Sequence, residues 1–323
     1  MRFMTFSHHG SERVGVGIGD GTTVAALPLG HTLLDLLREG RAALHDAGEA
    51  ALAAASEVLA VADLRVMAPL PTPPTVRDFM TFEQHVAGAI RLADPAATVP
   101  ERWYDAPIFY FTNPYATVGP HDDVTLPPGE TRFDFELEVA AVLGGGGRDL
   151  DPAAAEDLVA GYTIMNDWSA RATQFAEMTV RLGPSKGKDG ATSMGPWFVT
   201  PDELEPFRRG CSFDLRMQAH VNDELVGADS WSSMAFGYGQ MIAYASRGAE
   251  VRAGDVFGSG TAGGGCLAEL WGHRGYDAHP PLTAGDVVTV EVEGLGRQRS
   301  RVVDRRAPAP DLAAFRAQRT AAR

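Results

Sequence analysis

The segment FDFELEVAAVL, residues 133–143, decides the fold, because it is the clearest strand in the chain and carries acidic side chains. Successive side chains of a strand point to opposite faces, so Glu136 and Glu138 are predicted on the same face. Two like charges this close repel each other unless a cation lies between them. Two interpretations stay open: a site for a hard metal with oxygen ligands, or an outer face in contact with water.

A second acidic position follows in GYTIMNDWSAR, residues 161–171. The apolar part predicts a strand that ends near Asp167, and the residues after it predict the start of a helix. Asp167 is therefore either a metal ligand or an ordinary helix cap. Arg171 and Gln174 are three residues apart, so on a helix they share one face and either bind a carboxylate substrate or contact their neighbours.

Residues 77–86, RDFMTFEQHV, contain an acid and a histidine seven positions apart. If the segment is helical, Asp78 and His85 lie on one face, two turns from each other. Taken alone, an acid at position 78 is typical of a helix cap. A histidine at position 85 is typical of a polar residue whose hydrogen bonds are satisfied within the protein. The spacing does not decide between these interpretations and a functional one.

Two glycine-rich segments resemble nucleotide-binding motifs without meeting their requirements. In GPSKGKD, residues 183–189, only three residues separate the glycines and Asp189 follows Lys188, so the phosphate-binding loop is excluded. GSGTAG, residues 258–263, fits the dinucleotide spacing, but residues 264–272 are not predicted to open a helix. These glycines are predicted to allow a close approach of the backbone or a tight bend.

Outward from these segments, the chain divides near residue 70, where Pro69, Pro71, Pro73 and Pro74 prevent a continuous helix. Residues 1–70 are predicted to form a small α/β domain with a helix over 41–59. Residues 71–323 are predicted to be an α+β domain, a mixed β-sandwich or roll. Its short elements are strands near 107–111, 255–257 and 287–292 and helices at 151–159 and within 166–182. The alanine- and arginine-rich end after Arg305 is predicted to be peripheral.

Composition limits the classes of function. The 323 residues are 45% hydrophobic, enough for a full core, and the net charge of −14 disfavours nucleic acid and anionic membranes as partners. No apolar run long enough for a membrane span and no signal-peptide pattern occur, so a cytoplasmic location is expected. Cys211 and Cys266 form neither a disulfide framework nor a zinc spacing, and reduced thiols are expected.

Taken together, the segments resemble the fumarylacetoacetate hydrolase family over roughly residues 70–300. The resemblance rests on five motifs in family order: RDFMTFEQH (77–85), FDFELEVAAVLG (133–144), GYTIMNDWSAR (161–171), GPSKGKDGATSMGPW (183–197) and GSGTAGGGCLAEL (258–270). It implies a catalytic domain of the family's β-roll type behind a small N-terminal domain. It also implies a homodimer.

The resemblance assigns a role to each candidate residue. It implies a divalent metal, with Mg²⁺ favoured and Mn²⁺ and Ca²⁺ open, held by the carboxylates of Asp78, Glu136, Glu138 and Asp167. It implies that His85 is the general base, oriented by Glu269. The residues implied to contact the substrate are Lys188, Thr261, Arg171 and Gln174.

The implied reaction is hydrolysis of a carbon–carbon bond in a 1,3-dicarbonyl or acylpyruvate-type substrate. In it, His85 activates water, Lys188 stabilises the oxyanion and the metal stabilises an enolate. Decarboxylation, isomerisation or hydration of a 2-oxo acid at the same site is the alternative, and a non-catalytic metabolite binder is less favoured because His85 and Glu269 are both present. Met80 and Met178 replace tyrosines that contact substrate in fumarylacetoacetate hydrolase, which favours a different acyl arm. Tyr110 is either a substrate-facing hydroxyl or a core tyrosine.

Overall fold

A computed structural model describes residues 1–304, apart from the side chains of Ala93 and Ala278, so the end after Arg305 lies outside the described residues. The first part of the chain has five strands and two helices: β1 (Arg2–His8), β2 (Ser11–Ile18), β3 (Thr23–Ala26), α1 (Leu33–Glu39), α2 (Arg41–Ala53), β4 (Val58–Ala60) and β5 (Arg65–Val66). The helix predicted over 41–59 ends at Ala53, because residues 58–60 pair with β3 instead.

The middle of the chain holds most of the motifs. Its elements are β6 (Val76–Phe79), α3 (Glu83–Ala93), α4 (Glu101–Asp105), β7 (Phe109–Thr112), β8 (Thr117–Val118), β9 (Val124–Thr125), β10 (Phe133–Asp134), β11 (Leu137–Leu143), β12 (Gly147–Arg148), α5 (Pro152–Glu156), β13 (Val159–Asp167), β14 (Ser169–Ala170), α6 (Arg171–Met178), β15 (Thr192–Met194) and β16 (Phe198–Val199). The carboxylate of Asp151 caps α5 and Pro152 is its first residue, as predicted.

The last part adds α7 (Pro201–Leu204), β17 (Arg208–Arg209), β18 (Ser212–Phe213), β19 (Arg216–Val221), β20 (Glu224–Ser230), α8 (Tyr238–Ser246), β21 (Glu250–Val251), β22 (Val256–Gly258), α9 (Leu267–Arg274), β23 (Val287–Val292) and β24 (Gly296–Val303). None of the helices within residues 1–304 combines the length and the apolar character that crossing a bilayer requires.

Two large sheets dominate the fold. The first has 13 strands, whose main path is β4-β3-β2-β1-β16-β13-β11-β22-β6-β7. The second has five strands in the order β20-β19-β23-β24-β9. Most pairs are antiparallel, while β6 with β22, β8 with β15 and β9 with β24 are parallel, so both sheets are mixed. The predicted α+β class with mixed sheets is confirmed.

The two sheets bury a common core, and β11 lies at its centre. Leu137, Val139, Ala141 and Leu143 belong to the same apolar cluster as the inward residues of β19 and β23. Ala140 and Val142 face the opposite way, into a second cluster formed with α1 and α2. Because both faces of β11 are buried, any acidic side chain on this strand is removed from water.

The N-terminal strands extend the large sheet. Arg2 and Phe3 of β1 pair with Val199 and Phe198 of β16, so one sheet crosses the proline-rich segment near residue 70. The division of the chain into domains of residues 1–70 and 71–323 stays a prediction.

Three local expectations, one of them conditional on a helix over residues 77–86, are not met. Residues 133–143 are two strands rather than one, because β10 pairs with β14 whereas β11 pairs with β13 and β22. Asp78 and His85 do not share a helix: Asp78 lies in β6, between β22 and β7, and α3 begins only at Glu83.

The third error concerns the segment after GSGTAG, where a helix does open, at Leu267. The first amide groups of this helix, those of Leu267 and Ala268, donate hydrogen bonds to the carboxylate of Asp134. A buried anion of the protein therefore already occupies the helix N-terminus, where a dinucleotide fold would bind phosphate.

Candidate active site

The carboxylates of Asp78, Glu136, Glu138 and Asp167 meet at the ends of neighbouring strands. Asp78 is in β6, Glu138 is in β11 with Glu136 just before it, and Asp167 ends β13; these strands are connected through β22 and β11. One oxygen each of Asp78, Glu136 and Asp167 lies within 4.8 Å of the others. All of these carboxylates are at most 4% exposed, which excludes the outer face in contact with water.

Glycine at position 258 lets two of the carboxylates converge. A Cβ atom there would lie 2.6 Å from Oδ1 of Asp78 and 3.0 Å from Oε2 of Glu138. Oε2 of Glu138 also accepts a hydrogen bond from the amide of Gly260, at 3.1 Å. The glycine-rich segment therefore approaches the carboxylates closely, as predicted for its glycines.

Two buried cations face this cluster. Lys188, in a short 3₁₀ turn, donates to Glu136 and, over 2.9 Å, to Oδ2 of Asp167. Arg171, the first residue of α6, donates to Oε1 of Glu136 over 2.6 Å. Both cations contact Glu136, whereas neither forms an ion pair with Asp78 or Glu138 among the described residues.

Tyr110 connects two of the carboxylates. It lies opposite Asp78 on the neighbouring strand β7, and its hydroxyl donates to Oδ2 of Asp78 over 2.6 Å and also contacts Oδ2 of Asp167. These contacts do not distinguish the two alternatives given for Tyr110, a hydroxyl that faces the substrate and a core tyrosine, and its substrate role stays a prediction. The hydroxyl is a partner of the carboxylate cluster.

Burial and mutual repulsion set the charge state of the cluster. Burial, with Asp167 nearby, raises the pKa of Asp78 to about 7. Burial and the neighbouring Asp78 and Glu136 raise the pKa of Glu138 well above its usual value. Although burial opposes ionisation of Glu136, Lys188 and Arg171 hold the pKa of this carboxyl well below its usual value. The cluster thus holds more acidic groups than its cations neutralise.

The donor set fits a hard divalent cation. No hydrogen-bond donor among residues 1–304 reaches Oδ1 of Asp78, Oε1 of Glu138 or Oδ1 of Asp167, although all three oxygens are buried. Buried carboxylate oxygens without donors are costly unless they coordinate a metal. Oxygen-only ligands of this kind are those preferred by Mg²⁺, Mn²⁺ and Ca²⁺.

His85 lies beside the cluster, near the start of α3. Its Nδ1 is 3.7 Å from Oε2 of Glu269, which lies in α9. Glu269 accepts hydrogen bonds from Nε2 of Gln84 at 2.9 Å and from the amide of Gly264 at 2.7 Å. Burial opposes ionisation of Glu269, but hydrogen bonds, including that from Gln84, and the proximity of His85 lower its pKa. Glu269 is therefore fixed as a carboxylate next to the imidazole.

Arg171 is held by an acid that the sequence analysis did not single out. Nε of Arg171 donates to Oδ2 of Asp134 over 2.9 Å, and Nη1 donates to Oε1 of Gln174 over 3.1 Å. The predicted common face of Arg171 and Gln174 is confirmed. Glu130 caps the same helix, because it accepts hydrogen bonds from the amides of Ala172 and Thr173.

The remaining predicted residues lie further out. Met80 and Met178 are 37% and 49% exposed, so they are surface residues rather than members of the carboxylate cluster. Thr261 is buried in the segment between β22 and α9. Asp167 ends its strand as predicted, but its carboxylate contacts Lys188 and Tyr110 rather than capping α6.

Four residues of the site were missed: Asp134, Glu130, Gln84 and Cys266. A signal existed only for Asp134, which continues the alternation of Glu136 and Glu138 along residues 134–138. The others act through partners distant in sequence. Cys266, for example, is fully buried, with its Sγ 3.6 Å from Nδ1 of His85.

The fold and the site define an enzyme type in which buried carboxylates at strand ends adjoin a histidine–glutamate pair. The family model for the C-terminal region of fumarylacetoacetate (FAA) hydrolases matches residues 75–303. The chain belongs to the fumarylacetoacetate hydrolase family.

Individual relatives differ in their reactions. The chain is 35% identical over 184 residues to a 2,4-didehydro-3-deoxy-L-rhamnonate hydrolase of Sphingomonas sp. (strain SKA58), a match covering 57% of this chain and 60% of that protein. It is 29% identical to the mitochondrial oxaloacetate tautomerase of Xenopus laevis, over 94% of this chain and 90% of that protein. The structure resembles fumarylacetoacetate hydrolase from psychrophilic Exiguobacterium antarcticum, with a TM-score of 0.69 and 26% identity over 94% of this chain and 100% of that one.

Proposed function

We propose that the chain is a divalent-metal-dependent hydrolase that cleaves a carbon–carbon bond in a 1,3-dicarbonyl or acylpyruvate-type substrate. The observation that carries the proposal is the buried pair of His85 and Glu269 directly beside the carboxylate cluster. A cluster of acids alone would support metal binding. The histidine with its fixed carboxylate adds the means to remove a proton from water.

In this proposal Asp78, Glu136, Glu138 and Asp167 hold the metal. When bound, it supplies Lewis-acid polarisation of the carbonyl oxygens of the substrate. The family resemblance and the unpaired carboxylate oxygens support this assignment, with Mg²⁺ as the favoured ion.

His85 acts as the general base. Its Nδ1 faces Glu269, which leaves Nε2 to take the proton from water so that hydroxide attacks the carbonyl carbon of the acyl arm. Glu269 stays ionised, orients the ring and stabilises the imidazolium that forms. The same imidazolium then returns the proton to the carbon that leaves, which yields a carboxylic acid and a ketone or 2-oxo acid.

Lys188 and Arg171, which both contact Glu136, provide positive charge at the site. Lys188 is 3% exposed, so water screens its charge poorly. In the proposal this charge stabilises the oxyanion that forms at the attacked carbonyl. In the proposal Arg171, with Gln174 beside it, orients a carboxylate of the substrate, as the family resemblance implies. In the proposal the exposed side chains of Met80 and Met178, which the family resemblance aligns with substrate-contacting residues, offer apolar surface for the acyl arm.

A second candidate is tautomerisation of a 2-oxo acid, because the Xenopus oxaloacetate tautomerase matches almost the whole chain. This reaction needs the same base and the same stabilisation of an enolate, but no water is added. His85 would then move a proton between carbon and solvent. Decarboxylation or hydration at the same site remains a variant of this second candidate.

The test is a panel of acylpyruvates, 1,3-diketones and oxaloacetate, incubated with the Mg²⁺-loaded protein in oxygen-labelled water. Label in the acid product would support hydrolysis. Interconversion of keto and enol forms with no label in a carboxylate would support the tautomerase. Carbon dioxide release alone would contradict both hydrolysis and tautomerisation and would support decarboxylation at the same site.

Two variants separate the base from the metal ligands. His85→Ala should lower turnover about 10²- to 10⁴-fold and retain Mg²⁺ binding, whereas Glu138→Ala should lose both. Mg²⁺ binding is measured by calorimetry. A fully active His85→Ala protein would contradict the assigned mechanism. The resemblance also implies a homodimer, for which light scattering of the full chain provides the measurement.

A further inference from the structure

A second group of metal-ligating side chains adjoins the carboxylate cluster and differs from it in chemistry. One ligand atom each of His85, Glu136 and Cys266 lies within 4.8 Å of the others, and all three residues are buried. The carboxylates of Asp78, Glu136 and Asp167 offer only oxygen, whereas this group offers nitrogen, sulfur and oxygen. Such a mixed set favours a borderline or soft cation over Mg²⁺.

The distance between the two softer atoms fits one bound ion. Sγ of Cys266 is 3.6 Å from Nδ1 of His85. Typical tetrahedral Zn²⁺ sites, with Zn–S near 2.3 Å and Zn–N near 2.0 Å, place sulfur and nitrogen about 3.5 Å apart. The separation of these two atoms therefore matches that of two ligands of one Zn²⁺ ion. The Sγ atom also accepts a hydrogen bond from the amide of Glu269, at 3.4 Å, which orients it.

We propose that His85, Cys266 and Glu136 form an inhibitory site for Zn²⁺ or Cd²⁺, adjacent to the site for the hard cation. Binding there replaces the thiol proton of Cys266, which is released to solvent. A tetrahedral ion held by these three residues would take a water molecule as its fourth ligand.

Glu136 belongs both to the group with His85 and Cys266 and to the group with Asp78 and Asp167. A cation bound at one group therefore affects binding at the other. A soft cation on His85 and Cys266 draws a carboxylate oxygen of Glu136 away from Asp78 and Asp167. It also occupies the nitrogen of His85 that faces Glu269. The inhibition, unlike the binding itself, rests on the proposed function, because it requires His85 to be the base.

The binding test uses the full chain in excess Mg²⁺ and reads out the ion rather than turnover. Cd²⁺ is titrated while the ultraviolet charge-transfer band of the cadmium–thiolate bond is recorded, and Zn²⁺ affinity is measured by calorimetry. We expect one thiolate-bound ion per chain. Cys266→Ala should abolish the band and weaken Zn²⁺ binding about 100-fold, since it removes a ligand.

The chain provides a matched control in its other cysteine, Cys211, which is exposed. Cys211→Ala should retain both the band and the Zn²⁺ affinity. If the band is lost in Cys211→Ala but kept in Cys266→Ala, the ion binds at the surface thiol and the proposal is wrong. Absence of any band in the unaltered protein would overturn it as well.

A further variant covers the case in which Cys266→Ala does not fold. His85→Gln keeps the thiol and should weaken Zn²⁺ binding at least about tenfold while Mg²⁺ binding persists. Unchanged Zn²⁺ affinity in this variant contradicts the site. If Zn²⁺ binds as described but turnover of the unaltered protein is not inhibited, the site stands and the role of His85 as base fails.

Discussion

Asp134 and Arg171 form a buried ion pair that joins two parts of the site. Oδ2 of Asp134 lies 2.9 Å from Nε and 2.8 Å from Nη2 of Arg171. The same carboxylate accepts the amides of Leu267 and Ala268 at the start of α9, the helix that carries Glu269. The side chain of Asp134 therefore fixes Arg171 relative to the helix that carries Glu269, the acid that faces His85.

We expect Asp134→Asn to lower the free energy of unfolding by about 1–3 kcal/mol, because it removes one of the two carboxylates that neutralise the buried guanidinium of Arg171 and leaves only Glu136. Urea unfolding measures the change. Asp214→Asn is the control: its ion pair with Arg209 is exposed, so the unfolding midpoint should not move. Equal effects of the two substitutions would contradict the role given to Asp134.

Lys188→Met should raise Mg²⁺ affinity and lower turnover at the same time. Nζ of Lys188 donates to Glu136 and Asp167, so it competes with a divalent cation for these oxygens. Its loss removes this competition but also the charge proposed to stabilise the oxyanion. Calorimetry and steady-state kinetics provide the measurements, with exposed Lys186→Met as the unchanged control. Weaker Mg²⁺ binding in Lys188→Met would argue against the competition.

Gly258→Ala should prevent tight Mg²⁺ binding. The added Cβ would lie 2.4 Å from Cε of Met165 and 2.6 Å from Oδ1 of Asp78, so the carboxylates have to move apart. Gly190→Ala provides the comparison, because no heavy atom lies within 4 Å of a Cβ at that position. Mg²⁺ titration of both variants distinguishes them. Normal affinity in Gly258→Ala would show that the carboxylates do not require this close approach.

The pH dependence of the metal-free protein has a defined sign. The pKa of Asp78 is raised from 3.8 to about 7 in the folded protein, so the native state binds the proton more tightly than the unfolded state. This contribution to stability is complete below about pH 4 and declines as the pH rises to 7, by up to about 1.4 kcal/mol per pH unit.

Asp78→Asn removes this contribution, so its unfolding free energy should fall less between pH 5 and 7 than that of the unaltered protein. Urea unfolding after dialysis against a chelator provides the comparison. Added Mg²⁺ should stabilise the unaltered protein most at the high end of this range, where the carboxylates are ionised. An identical pH slope in both proteins would show that Asp78 is not the group that titrates.

The sequence supported the parts of the site that depend on local patterns. Alternation along residues 136–138 predicted two acids close together, and the apolar run of residues 161–165 predicted Asp167 at the end of a strand. The first pattern predicts a common face because side chains alternate along a strand with a period of two. The second predicts a buried strand because such strands consist mainly of apolar residues.

Contacts between distant segments could not be predicted from the residues. Asp78 lies in a strand rather than on the helix of His85. Its backbone pairs with Tyr110 of β7, more than 30 residues away in sequence, and with Gly258 of β22, about 180 residues away. The role of Tyr110 follows from that same register. The helix at Leu267 is likewise stabilised by the distant carboxylate of Asp134, although Glu269 in its first turn and Gly275 at its end are local signals that the sequence prediction did not use.

The pairing of β1 with β16 bears on which fragments of this protein can be prepared. A fragment restricted to residues 75–303, the part matched by the family model, would lose β1 and leave the backbone groups of Val199 and Phe198 without partners. An uncovered strand edge of this kind is a template for association with other chains. We therefore expect β1, by covering this edge of β16, to prevent such association.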